Sequence, residues 1–225
     1  MSPHWLRSHY KGVRATRYEQ ARVRDPKWHR EQEVVRELLG EVIEETSAVV
    51  DVPVGTGRFL QDYAELGCRL VGIDISPDML RQAAQRAAEY PSLNIDLQAG
   101  DITSLPLPDN AVDVAVCIRF ASLVNSRVLD TAVSELARVA RHVILGVTTR
   151  LPPSDDDMLT KRLIRWAHRT ARAYKPGPRR VVAHDATEVA SIFSRHSLST
   201  KRLCEVRRRD VQGDVTTIYL LRKDP

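Results

Sequence analysis

The sequence has few cysteines, few aromatic residues and no long apolar run. Cys68, Cys117 and Cys204 lie far apart and form no Cys-x-x-Cys pair. This argues against a disulfide framework or a zinc site and favours a reducing compartment. No apolar segment approaches the roughly 18 residues of a membrane helix, and the first residues lack the apolar core of a signal peptide. We therefore expect a cytoplasmic protein with no transmembrane segment and no bound metal.

Basic side chains are concentrated in two segments. The 225 residues include 34 Lys or Arg and 29 Asp or Glu. Residues 1–30 hold eight Lys or Arg and two acids, and residues 158–180 hold eight and none. Two interpretations stay open, namely solvated helical faces or a surface for an anionic partner. Nucleic acid is not the favoured partner, because single strands are bound largely by stacking and only 5% of the residues are aromatic.

Strand-like and helix-like segments alternate through the first two thirds of the chain. Apolar periodicity predicts strands over 47–52, 69–73, 93–98, 112–118 and 142–147, and helices over 33–43, 58–66, 77–90 and 128–140. Continuous apolar strands in such an alternation indicate a parallel sheet covered on both faces.

The pattern changes after residue 150. Helices are predicted over 158–174 and 186–195, and strands over 201–208 and 215–221 flank a turn signal at Gln212-Gly213-Asp214. The predicted fold is therefore α/β, a doubly wound, mostly parallel seven-stranded sheet with a C-terminal antiparallel hairpin. We divide it into an N-terminal helical lid, residues 1–45, and a main domain, residues 46–225, with a helical cap insertion at about 151–180.

Three acidic residues stand at the ends of three successive strands. Asp51 ends the first strand, Asp74 the second and Asp101 the third. In an open α/β sheet, ligands bind at the carboxyl ends of the strands, so these side chains should line one crevice. Gly55 and Gly57 follow Asp51 and allow a sharp turn close to a ligand. A dinucleotide fold competes, but its Gly-x-Gly-x-x-Gly fingerprint needs a third glycine where this chain has Leu60.

Residues 49 to about 149 resemble the class I S-adenosylmethionine-dependent methyltransferases, especially the small bacterial enzymes of the ubiquinone/menaquinone type. The matching pieces are Val-Asp51-Val-Pro-Val-Gly-Thr-Gly-Arg, Gly-Ile-Asp74-Ile-Ser-Pro-Asp-Met-Leu and Gly-Asp101-Ile-Thr-Ser-Leu-Pro-Leu-Pro-Asp. The resemblance implies the class I methyltransferase fold and S-adenosylmethionine as cofactor. Pro53 departs from it, because many relatives carry a glycine there; we expect Gly55 and Gly57 to make the close approach instead.

The resemblance also implies roles for individual residues. Asp51 would face the amino group of the methionine moiety, Asp74 would accept hydrogen bonds from both ribose hydroxyls, and Asp101 would meet the adenine amino group. Ile75, Met79 and Ile102 would complete the cofactor pocket. These roles leave the acceptor of the methyl group open.

Four residues are candidates for roles in methyl transfer itself, either beside the sulfonium ion or as a base. Arg119 and Phe120 follow the fourth strand and either border the sulfonium or serve packing alone. Tyr18 is the predicted lid residue over the cofactor, as in related enzymes, and a candidate base. His184 is a second candidate base, although a lone His is more often structural; Asp185 beside it would also serve as a helix N-cap.

The predicted function is transfer of a methyl group to a small organic acceptor, which the basic segments suggest is anionic. Positioning supplies much of the acceleration in such an in-line displacement. One alternative is an RNA or nucleotide methyltransferase that uses the basic segments. The other is a non-catalytic protein that binds S-adenosylmethionine or a partner. No Asn/Asp-Pro-Pro-aromatic motif of enzymes that methylate amino groups in nucleic acids follows the fourth strand.

Overall fold

The computed structural model of the chain describes residues 25–44, 46–150, 181–206 and 214–224. Tyr18, the predicted helix over 158–174 and the Gln212-Gly213 part of the predicted hairpin turn lie outside these ranges. None of the helices within them is long and apolar enough to cross a membrane.

The described residues form five α-helices, one short 3-10 helix and seven strands. In chain order they are α1 (Pro26–Val42), β1 (Ala48–Asp51), α2 (Leu60–Leu66), β2 (Arg69–Asp74), α3 (Pro77–Ala87), β3 (Asn94–Ala99), β4 (Val112–Cys117), the 3-10 helix (Ala121–Leu123), α4 (Ser126–Val139), β5 (Ala140–Arg150), α5 (Ala186–Arg195), β6 (Leu198–Val206) and β7 (Asp214–Lys223). The predicted alternation is confirmed, and β5 is longer at both ends than predicted.

The seven strands form one sheet in the order β3-β2-β1-β4-β5-β7-β6. β1 to β5 pair in parallel, with Val50 opposite Val71 on one side and Ala115 on the other. β7 lies antiparallel to both β5 and β6. The chain crosses from one sheet edge back to the centre between β3 and β4, so the connections diverge beside β1. This arrangement confirms the doubly wound sheet and its antiparallel C-terminal hairpin, and a ligand crevice is expected at that divergence.

Side-chain caps fix where the helices begin. Ser76 caps α3 by accepting a hydrogen bond from the Met79 N–H, with Pro77 in the first turn. Asp185 caps α5 as predicted. α1 begins at residue 26, earlier than the predicted 33, because Asp25 accepts from the Lys27 N–H at 3.0 Å and Pro26 follows it. The polar first turn of α1 lacks the apolar periodicity on which the prediction relied.

The core consists of two apolar clusters, one on each face of the sheet. Neighbouring residues of β1 belong to different clusters, Val50 to the one covered by α4 and α5, and Val49 to the one covered by α1 and α2. Four residues of α1 belong to the second cluster: Val34, Val35, Leu38 and Leu39. The described part of the predicted lid, residues 25–44, therefore shares the core of the main domain, and the predicted boundary after residue 45 does not separate two packed units.

Candidate functional site

A cleft opens at the carboxyl ends of β1, β2 and β4, beside the segment that follows β3. It encloses about 880 Å³, counting the solvent at its mouth. Its lining combines loop backbone, three carboxylates, two arginines and a band of apolar side chains. These residues are Trp28, Asp51, Val52, Pro53, Val54, Gly55, Thr56, Arg58, Phe59, Asp74, Ile75, Met79, Gly100, Asp101, Ile102, Ile118, Arg119, Phe120 and Leu123.

The loop after β1 forms the floor of the cleft. The Val54 N–H donates to the Ile73 carbonyl oxygen at 2.9 Å and ties the loop to β2. Gly55 has φ +58°, and a Cβ atom there would meet nothing within 4 Å, so its backbone faces open space in the cleft. Gly57 differs from its predicted role: it does not line the cleft, and a Cβ atom there would lie 2.6 Å from Leu60 Cδ1. Gly57 therefore serves the turn and the packing of α2.

Asp74 is fixed by backbone donors on both oxygens. Its Oδ2 accepts from the Gly55 N–H at 3.0 Å and its Oδ1 from the Ser76 N–H at 2.8 Å. Burial raises the pKa of Asp74 to about 6, and these hydrogen bonds oppose that rise. A carboxylate oxygen can accept more than one hydrogen bond. Asp74 can therefore orient a pair of hydroxyl groups while it holds the glycine loop against β2.

Asp51 is the most deeply buried acid of the cleft, with 2% of its surface exposed. Burial, with the nearby Asp74 charge adding to it, raises the pKa of Asp51 to about 8, while Tyr63 and Arg58 oppose the rise. A carboxyl group in this environment gains from a cation that enters the cleft, since the cation offsets the cost of ionisation.

The segment after β3 forms the remaining wall together with the start of α3. Asp101 accepts at Oδ1 from both the backbone N–H and the hydroxyl of Thr103, at 2.9 and 2.8 Å. Ile75, Met79 and Ile102 line the same part of the cleft. A slot with apolar walls and a carboxylate at its rim suits a flat heterocycle that carries an amino group. The structure thus brings together Asp51, Gly55, Asp74, Ile75, Met79, Asp101, Ile102 and Arg119 of the predicted cofactor residues.

Two arginines and one glutamate join α1 to the opposite wall. Glu31 is 1% exposed, and its Oε2 accepts from Arg58 Nη1 at 3.1 Å and from Arg119 Nε at 2.7 Å. Arg58 also lies with Cζ 3.6 Å from the centroid of the Trp28 ring. Arg119 has φ +65°, a conformation that non-glycine residues seldom adopt. This ion cluster holds the guanidinium groups and the Trp28 ring at the edge of the cleft.

The structure does not bring His184 into the cleft. The residue is 2% exposed and absent from the lining. Its Nε2 lies 2.9 Å from the Ala121 carbonyl oxygen and so carries the proton, and its Nδ1 lies 3.3 Å from Ser126 Oγ. Both ring nitrogens are therefore engaged away from the cleft, and His184 anchors the 3-10 helix instead of acting there as a base. The other candidate base, Tyr18, lies outside the described residues.

The sequence prediction missed Trp28, Glu31, Arg58 and Tyr63 as site residues. Glu31 had a usable signal, because it shares a helical face with Val35 and Leu38, and a charge on an apolar face indicates a buried ion pair. Arg58 and Tyr63 had none, because their partners depend on how α1 and β1 pack against α2.

Comparison with known proteins agrees with the geometry of the cleft. Residues 49–142 match the model of a family described as a methyltransferase domain. The match spans less than half of the chain. The chain is similar to the malonyl-[acyl-carrier protein] O-methyltransferase of Serratia marcescens, 39% identical over 95 residues. It is also similar to the demethylmenaquinone methyltransferase of Renibacterium salmoninarum, 39% identical over 93 residues. Each match covers 41% of this chain and only 34% and 36%, respectively, of those relatives.

Solved structures agree with the fold over most of the chain. Magnesium protoporphyrin IX methyltransferase of Synechocystis PCC 6803, with bound S-adenosylhomocysteine, matches with a TM-score of 0.75 at 17% identity. The match covers 98% of this chain and 99% of that one. Geranyl diphosphate methyltransferase in complex with geranyl diphosphate and sinefungin matches with a TM-score of 0.64 at 11% identity, covering 87% and 78%. The predicted recognition of a class I, S-adenosylmethionine-dependent methyltransferase is confirmed.

The cleft residues fit S-adenosylmethionine. The molecule carries an ammonium group and a sulfonium ion, a ribose with two hydroxyls, and an adenine ring with an amino group. The cleft offers the buried Asp51 carboxyl group, the doubly anchored Asp74 carboxylate, and the slot of Ile75, Ile102 and Asp101. No group of three or more His, Cys, Asp or Glu among the described residues could hold a metal ion.

Proposed function

We propose that this chain transfers the methyl group of S-adenosylmethionine to a small organic acceptor. The observation that carries the proposal is the convergence of Asp51, Asp74 and Asp101 on one cleft floored by the Gly55 turn. When bound, S-adenosylmethionine supplies an activated methyl group on a sulfonium ion. Its methyl group would pass to a nucleophilic atom of the acceptor, S-adenosylhomocysteine would be the leaving group, and the proton displaced from the acceptor would pass to solvent.

The chain's own contribution is binding and orientation. Asp51 holds the ammonium group, Asp74 accepts from the ribose hydroxyls, and Asp101 accepts from the adenine amino group. Buried apolar side chains at the end of β4, Ile118 and Phe120, exclude water from the reacting end. With His184 anchored outside the cleft, positioning supplies most of the acceleration.

The walls of the cleft favour an acceptor with an apolar body and an anionic group. Trp28, Ile118, Phe120 and Leu123 supply apolar surface, and the guanidinium group of Arg119, with 21% of its side chain exposed, lies at their edge. The relatives are named for acceptors as unlike as malonyl-acyl-carrier protein, demethylmenaquinone and geranyl diphosphate. These names do not favour one class of acceptor, whereas the apolar walls and the arginine of the cleft do.

Titration calorimetry with S-adenosylhomocysteine tests the donor half of the proposal. The wild-type chain should bind it and should not bind NAD. Asp74→Ala should weaken binding at least about tenfold, since it removes charge-assisted hydrogen bonds to the ribose. Asp96→Ala is the matched control, because Asp96 is an exposed acid of the neighbouring strand β3. Tight binding of NAD without any response to S-adenosylhomocysteine would refute the proposal.

A methyl-transfer assay tests the acceptor half. Tritiated S-adenosylmethionine and the chain are incubated with cell extract separated into small molecules and RNA. Label should enter the small-molecule fraction and resist ribonuclease. Label that enters only RNA, together with RNA binding that weakens steeply with salt, would instead favour the nucleic-acid alternative.

A further inference from the structure

One buried polar group near the cleft has no role in the proposed binding of the methyl donor. Tyr63, on α2, is fully buried in the apolar cluster beneath α1 and α2. Its hydroxyl group is the single buried side-chain N or O atom without a hydrogen-bond partner among the described residues. A buried hydroxyl that makes no hydrogen bond costs free energy, so its retention requires an explanation.

The neighbourhood of this hydroxyl points to Asp51. The Asp51 carboxyl group lies beside it: the Tyr63 hydroxyl lowers the pKa of Asp51, as a hydrogen-bond donor does, although the pair falls short of full hydrogen-bond geometry. The other titratable groups around the pair are Asp62 and Cys68 near Tyr63, and Asp74, Arg58 and Cys117 near Asp51. Of the two side chains, Asp51 lines the cleft and Tyr63 does not. Tyr63 thus stands behind the acid that faces the ligand.

We infer that Tyr63 is a positioning residue for the methyl donor: its hydroxyl group donates a hydrogen bond to the Asp51 carboxylate when that carboxylate holds the donor's ammonium group. This inference rests on the proposed function, because it needs an ammonium group in the cleft. The carboxylate is then held from behind by a neutral donor and from the front by the cation.

The physical reason is the cost of ionising Asp51. In the cofactor-free domain, burial favours its neutral form, and an ammonium group binds well only to the ionised form. A hydroxyl donor behind the carboxyl group favours the ionised form without adding a charge of its own. An arginine or lysine in place of Tyr63 would also favour the ionised form of Asp51, but its positive charge would repel the sulfonium ion.

Tyr63→Phe isolates the hydroxyl group, because it keeps the buried ring and removes only an atom that has no well-formed hydrogen bond in the cofactor-free domain. The thermal midpoint should therefore stay unchanged or rise. The affinity for S-adenosylhomocysteine at pH 7 should fall about tenfold, which is the lower edge of the range for a hydrogen bond to a charged group. The deficit should shrink as the pH rises to 8.5, where Asp51 ionises without help. Tyr219→Phe, on the remote strand β7, is the control for loss of a buried phenol hydroxyl.

5′-Methylthioadenosine separates this role from a general structural one. It keeps the adenine and the ribose but lacks the ammonium group, so Tyr63→Phe should leave its binding unchanged. Fluorination of the Tyr63 ring makes the hydroxyl group a stronger donor, and it should shift the pH profile for S-adenosylhomocysteine to lower pH.

Two results would overturn the inference. One is a Tyr63→Phe chain whose affinity and pH profile for S-adenosylhomocysteine match the wild type. The other is an equal loss of affinity for 5′-methylthioadenosine. Failure of the wild-type chain to bind S-adenosylhomocysteine is a distinct result, which would refute the proposed function and this inference with it.

Discussion

Removal of the Glu31 carboxylate should destabilise the domain more than any exposed charge would. Glu31 is 1% exposed and accepts hydrogen bonds from two guanidinium groups, those of Arg58 and Arg119. Its removal takes the Glu31 carboxylate away from the 8%-exposed side chain of Arg58 and so breaks one side of a buried ion pair. Breaking one side of a buried ion pair typically costs about 3–5 kcal/mol.

The structure favours the lower end of that range for Glu31→Ala. Arg58 keeps a hydrogen bond to Gln32 Oε1 at 2.9 Å and its contact with the Trp28 ring. Arg119 is 21% exposed and can be hydrated. We therefore expect a loss of about 3 kcal/mol in the free energy of unfolding. For a domain of this size, that lowers the thermal midpoint by roughly 6–12 °C.

Urea unfolding and calorimetry measure this loss. Glu33→Ala is the matched control on the same helix, because Glu33 and Arg30 form an exposed pair, 60% and 55% exposed, whose contribution is at most about 1 kcal/mol. Glu31→Gln should fall between the two, since its amide oxygen accepts one hydrogen bond but carries no charge. The reasoning is refuted if Glu31→Ala and Glu33→Ala unfold at the same urea concentration.

Two further predictions concern the loop and its acid. Gly57→Ala should cost about 1–3 kcal/mol in urea unfolding, because its Cβ atom would lie 2.6 Å from Leu60 Cδ1 at φ +78°. Gly40→Ala, in the last turn of α1 with nothing within 4 Å, should not destabilise the domain. Asp51→Asn should raise the thermal midpoint of the cofactor-free domain at pH 8 and raise it by much less at pH 5. Folding raises the pKa of Asp51 from 3.8 to about 8, so wild-type stability falls as pH rises through that interval. Equal midpoint differences at both pH values would contradict this.

The fold could be predicted because its signals are local. Runs of apolar residues, helix caps such as Ser76 and Asp185, and the turn after β1 each occupy a few neighbouring residues, and their alternation predicts a parallel sheet. The three strand-end acids were predictable for the same reason, because parallel strands place their carboxyl ends at one sheet edge.

The second layer of the site depends on contacts between distant segments. Glu31 and Arg119 are 88 residues apart in the chain and meet only because α1 packs against the face of the sheet beside β4. His184 failed as a predicted base for a related reason. A hydrogen bond to the Ala121 carbonyl oxygen holds His184 outside the cleft. The two residues are 63 positions apart in the sequence, so no local pattern reveals this contact.

The strand-end acids have the same side chain and equivalent places in the sheet, yet burial raises the pKa of Asp51 to about 8 and that of Asp74 only to about 6. Asp74 is held by two backbone N–H groups and Asp101 by the Thr103 backbone and hydroxyl, whereas Asp51 has a hydroxyl group beside it that makes no hydrogen bond. The charge of Asp51 is therefore the one that a ligand can most readily change. A rise in pH through about 8 ionises Asp51, which strengthens the binding of an ammonium group and destabilises the cofactor-free domain. Donor affinity and the stability of the cofactor-free domain should thus respond to pH in opposite directions, and a buried hydroxyl behind the carboxylate moderates both.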